Sequence, residues 1–239
     1  MSTATSGPKR TRASVGNDAA RTGRALQDWL LLLLVFVAGA TSLAIEMAAS
    51  RLLAPDFGST LFVWASLIGL ILLYLSVGYY VGGLLADRYP RLQLFYALSL
   101  AAALLTALVP VIAPPVLNWA LLTFSTLSSN VLYGSLISVV LLFALPMLLL
   151  GCISPFAIRL RVEQVGKSGR NAGFLYAIST AGSIVGTFLP VLVIMPGIGT
   201  SRTFLVFAGA LLLVSLVGLG VSLRSHPVRM EDLGNPVKE

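Results

Sequence analysis

Glu46 is the residue whose type and setting most directly suggest chemistry. It sits in an otherwise apolar run, where a charged carboxylate costs at least ~2.5–3.5 kcal/mol on insertion scales. On a helix its i−4 and i+4 neighbours are Ser42 and Ser50, with Ala38 a turn further back. That small, polar stripe suits the inside of a helix bundle rather than a lipid-facing side. Two roles fit. Glu46 can serve as a cation or proton site, or as one half of a buried ion pair or hydrogen bond with Arg51 or an arginine on another helix. Glu46, Arg51, Ser42 and Ser50 are therefore the candidate substrate- or ion-binding residues.

A second constellation is Gly83-Leu84-Leu85-Ala86-Asp87-Arg88-Tyr89-Pro90-Arg91. A carboxylate in the last turn of a helix opposes the macrodipole, so Asp87 needs a compensating arginine or the N-terminus of another helix. The spacing of Gly83, Asp87, Arg88 and Arg91 resembles the loop motif of major facilitator superfamily transporters, with Pro90 where that motif has glycine. In that family the carboxylate acts as a conformational latch, a role the resemblance implies for Asp87. The plainer reading is a basic loop containing one acid. Gly78-x-x-x-Gly82 and Gly182-x-x-x-Gly186 predict close helix packing. Ser179 and Ser183 share a helix face and are expected to hydrogen-bond across the bundle. Gly197-Ile198-Gly199 follows a membrane span rather than a strand, which excludes a nucleotide loop.

Other chemistry has little to build on. Cys152 is the single cysteine and His226 the single histidine, so no intrachain disulfide forms and a zinc site lacks ligands. With no nucleophile–base pair and no metal cluster, no cofactor or metal is expected, and the chain itself is not expected to be an enzyme.

The elements that position these residues follow from composition. Of 239 residues, 57% are hydrophobic and 10% charged, against about a quarter charged in soluble domains. Apolar runs long enough to cross about 30 Å of hydrocarbon extend from Trp29 to Leu53, Leu61 to Ala86, Leu92 to Ile112, Val131 to Ile158, Ala172 to Met195 and Thr203 to Leu223. Between the third and fourth, Pro114-Pro115 is expected to end a helix, and 116–129, with Trp119, to lie as an interfacial helix. The expected fold class is all-α, a polytopic bundle of six transmembrane helices resembling one half of a major facilitator transporter. It occupies 27–223, between a disordered basic tail over 1–26 and a polar tail over 224–239. A secretory signal over Leu30–Ala40, cleaved after Ala38-Gly39-Ala40, is disfavoured because apolar character continues well beyond it.

Net charge is +7. Its distribution points to membrane topology rather than nucleic acid. Of 16 Lys and Arg, only Arg51 and Arg202 fall in segments that an even number of crossings places outside. This bias predicts cytoplasmic N- and C-termini in a bacterial inner membrane. Arg159 and Arg161 are then inner-face candidates. Ala49-Ser50-Arg51-Leu52 and Ala157-Ile158-Arg159-Leu160 end the first and fourth spans, as an inverted repeat of two three-helix halves would require.

In combination these motifs resemble the membrane domain of bacterial fused major-facilitator-like/spermidine synthase proteins. The match runs through Ser42–Pro55, Gly58-Ser59, Trp64, Gly78–Gly83 and Asp87-Arg88. It continues through Gly151–Leu160, Gly173–Ala177, Gly182–Thr187, Pro196 and Gly199-Thr200. The family carries an aminopropyltransferase-like domain after its last helix, for which 224–239 leaves no room. No catalytic or substrate-binding residue of that domain can therefore be assigned here. The resemblance implies a polyamine-linked membrane module. Its expected partners are the lipid bilayer, a soluble synthase-like protein at the cytoplasmic face and, for a half-transporter of polyamine or another cation, a second copy of the chain.

Overall fold

The computed structural model describes residues 12–124, 130–161 and 168–224. The described chain contains six helices long and apolar enough to cross a membrane: Ala25–Phe57, Leu61–Arg88, Leu92–Phe124, Val131–Arg161, Gly169–Ile198 and Thr200–Leu223. The architecture is an all-α, six-helix bundle, and no strand occurs among the described residues.

The first span belongs to α1, Arg12–Phe57. The chain is thus helical through much of 1–26, where composition predicted a disordered tail; residues 1–11 lie outside the described residues. Nucleation is the costly step in helix formation; the apolar span supplies it, and Ala13, Ala19, Ala20 and Ala25 favour extension while Gly16 and Gly23 each oppose it by about 1 kcal/mol. Ala38, Gly39 and Ala40 are buried inside this unbroken helix.

Helix α2, Leu61–Arg88, is capped at its start by the Thr60 hydroxyl, which accepts from Val63 N–H. Helix α3 runs from Leu92 through Phe124 with Pro110, Pro114 and Pro115 inside it. This corrects the expected break at Pro114-Pro115: up to Phe124 the segment continues the third helix rather than forming a separate interfacial one. Ala113, Leu117 and Ala120 are buried beyond the prolines, so bundle packing holds the helix together where backbone hydrogen bonds are lost. Residues 125–129 of the expected interfacial helix lie outside the described residues.

Helix α4, Asn130–Arg161, carries Pro146 and Pro155, and α5 covers Ser168–Leu189. The fifth span then departs from a regular helix. Pro190–Ile194 forms a π-helical turn, followed by the short α6, Met195–Ile198. Pro190 has no N–H to return to the preceding turn, so the hydrogen-bond register shifts there. The chain turns at Gly199, whose φ of +86° favours glycine, and enters α7, Thr200–Arg224.

The first and fourth spans are the most buried, and α4 occupies one side of the core. It packs against α2 and α3, while α1 packs against α5 and α7, and α3 against α7. Apolar burial drives little association in lipid, so close backbone approach matters more. Gly82 lies against the backbone of Cys152 on α4, and Gly182 and Gly186 lie against Phe36 and Ala40 on α1. Both small-residue spacings are therefore packing devices. Aromatic contacts add to the core: Phe95 meets Tyr96 and Phe156 at ring separations of 5.3 and 5.8 Å, and Phe143 stacks on Phe204 at 6.3 Å.

Candidate cation site and helix-end ion pair

The stripe on α1 is built largely as its spacing predicts. Ala38 and Ser42 are buried, while Glu46 and Ser50 are half-buried. The Ser50 hydroxyl donates to Met47 O at 2.8 Å, which satisfies it within its own helix. One turn-pair earlier on this side, Gly39 touches Ser179, and the Ser183 hydroxyl donates to Gly39 O at 3.2 Å. Ser183 therefore makes the expected cross-bundle hydrogen bond, and the stripe runs beside α5.

Glu46 makes no hydrogen bond or ion pair among the described residues. The one ion pair they contain is elsewhere. Among the described residues the pairing of Glu46 with Arg51 or another arginine is thus not realised. Arg51 is exposed and lies five residues on, about 140° around the helix axis, where it lines a cavity with Val191, Met195, Pro196 and Thr200. Ser42, Glu46 and Ser50 follow one another at four-residue spacing on α1, and Arg51 forms no ion pair with Glu46.

At the other end of the bundle, Arg159 at the close of α4 donates Nε–H to Asp87 Oδ1 at 2.8 Å. Asp87 thereby has the counter-charge its place in the last turn of α2 calls for. Both side chains are substantially exposed, 71% for Asp87 and 48% for Arg159, so the pair stabilises by about 0.2–1 kcal/mol. Arg88 lies over the Tyr89 ring at 5.7 Å, and Arg91 is exposed. Gly83 has open space where a Cβ would stand, so packing does not require glycine there. Arg161 lies over the Phe174 ring at 5.5 Å and accepts a 3.5 Å hydrogen bond on its carbonyl from Asn171 Nδ2. Its Nη1 is buried without a partner.

Sequence reasoning missed three features. The π turn at Pro190–Ile194 was signalled only by a proline inside an apolar run. The buried, unpartnered Tyr96 and Thr106 hydroxyls on α3 carried no signal, because a single polar residue in a span does not reveal which way it faces. No family model matches the chain, and comparison with curated proteins and with solved structures finds no match.

Proposed function

We propose that this chain is a membrane module, not itself catalytic, that holds a polyamine or other cation at Glu46 and serves as anchor or partner for a soluble synthase-like protein. The observation that carries this reading is a half-buried carboxylate inside an apolar span with no cationic partner among the described residues. A protonated amine supplies the missing charge and N–H donors, offsetting the cost of placing the carboxylate in the membrane. The resemblance of Ser42–Pro55 and Gly151–Leu160 to the spermidine synthase-linked membrane domain favours a polyamine among cations. The basic-residue distribution favours an inner-membrane protein with both termini cytoplasmic, which puts the Asp87–Arg159 end on the side of a soluble partner. A tagged pull-down from native membrane tests the partner: recovery of a soluble synthase-like protein supports the reading, and recovery of none counts against it.

The second reading is a polyamine or cation transporter working as a homodimer of half-units. Polar side chains on the outward faces of α2 and α5 favour it. Tyr79, Tyr80 and Tyr176 are 47%, 71% and 56% exposed, as is Thr180. They stand among exposed apolar residues such as Leu72, Leu73, Leu84, Ile184 and Phe188. Polar groups facing lipid are costly, so these side chains suit contact with a second copy. Uptake of labelled putrescine into proteoliposomes, abolished by Glu46→Gln, distinguishes transport from binding alone.

A further inference from the structure

The bundle end opposite the Asp87–Arg159 pair contains an open cavity of about 240 Å³ lined by Arg51, Val191, Met195, Pro196 and Thr200. Three parts of the fold meet there: the last turns of α1, the π turn with α6, and the start of α7. Arg51 is exposed and has no ion-pair partner among the described residues. The two acids closest to it along α1, Glu46 and Asp56, each stand about 140° away around the helix axis. Asp56 lines a different cavity, with Ala120 and Val131. No lining residue of the Arg51 cavity is acidic.

The remaining polar groups in its wall are suited to an anion. Thr200 contributes a hydroxyl and opens a 25-residue helix. The bond from Thr203 N–H to Gly199 O is the first in that turn, which leaves the amides ahead of it without an intrahelical acceptor. The positive end of the α7 dipole thus lies on the same side as the Arg51 guanidinium. The π turn, bracketed by Pro190 and Pro196, sets the apolar wall formed by Val191 and Met195.

We infer that this cavity is an oxyanion-binding site. It takes a phosphate or carboxylate group, with Arg51 as the charge partner and Thr200 as a neutral donor, and it is separate in place and opposite in charge preference from Glu46. A lipid headgroup and a free solute present the same chemistry to these residues, so the test has two arms. In the first, native mass spectrometry follows phosphatidylglycerol retained by the purified full chain after release from phosphatidylglycerol nanodiscs. In the second, inorganic phosphate is titrated into the chain in maltoside micelles while arginine Nε resonances are recorded.

Loss of one charge-assisted contact lowers affinity by about tenfold or more. Arg51→Gln is therefore expected to reduce phosphatidylglycerol retention, the phosphate response, or both, by that factor, with Arg170→Gln, at the opposite end of the bundle, near wild type. Val191→Trp, which fills the cavity and keeps the arginine, should produce the same loss and covers the case in which Arg51→Gln does not fold. An Arg51-dependent effect in the lipid arm assigns the site to headgroups, and one in the phosphate arm assigns it to free anions. Retention and titration curves unchanged by both substitutions would overturn the proposal.

Discussion

Arg159 Nε and Asp87 Oδ1 stand 2.8 Å apart and join the ends of two helices across 72 positions of sequence. Gly82 packs on Cys152 along the same helix pair, so the ion pair sits at the end of a tight interface rather than creating it. A double-mutant cycle with Asp87→Asn and Arg159→Gln should give a coupling of no more than about 1 kcal/mol, as for exposed pairs. Chemical unfolding in detergent measures it. A coupling several times larger would mean the pair is desolvated in the membrane interface.

The helix contacts themselves should be far more sensitive. A Cβ at Gly82 or Gly186 meets the backbone of Cys152 or Ala40, not a flexible side-chain tip. Gly82→Leu and Gly186→Leu should each destabilise by about 1–3 kcal/mol, the usual cost of overpacking. Gly83→Ala meets open space and should be neutral or stabilise by up to about 1 kcal/mol through helix propensity. The contrast between Gly82 and its neighbour Gly83, read from unfolding midpoints, checks the α2–α4 packing.

Thr106 on α3 is fully buried and its Oγ1 has no hydrogen-bond partner. Thr106→Val keeps the shape and removes an unsatisfied polar atom, so it should be neutral or stabilise by about 1 kcal/mol. Clear destabilisation, measured in the same assay, would indicate a hydrogen bond that the fold does not show.

Reporter fusions address orientation. With the positive-inside bias, a fusion after Arg224 should be fluorescent as green fluorescent protein and inactive as alkaline phosphatase. The opposite pattern would place the Asp87–Arg159 end outside and remove the basis for a cytoplasmic partner.

The parts of this fold legible in the sequence are those set by one-dimensional physics. Six apolar runs yielded six spans because length and hydropathy alone fix them. The Gly78/Gly82 and Gly182/Gly186 spacings marked tight interfaces because only a missing Cβ permits such approach. What stayed hidden depends on partners distant in sequence. Asp87 clearly needed a cation, yet only the α2–α4 packing selects Arg159 over Arg88 or Arg91. Pro114 and Pro115 read as a helix end because buried Ala113, Leu117 and Ala120, which hold the turn together, cannot be distinguished from lipid-facing residues by composition. The absence of a Glu46–Arg51 ion pair has a simpler reason: five residues along a helix set the two side-chain directions about 140° apart.

Glu46 remains the centre of the functional account, and isothermal titration of spermidine into the purified full-length chain tests it most directly. Wild type should bind with saturable heat. Glu46→Gln, folded as judged by its unfolding midpoint, should weaken binding by about tenfold or more, the loss expected for one charge-assisted contact. Equal binding by wild type and Glu46→Gln, or no binding by either, would contradict a cation site at this carboxylate.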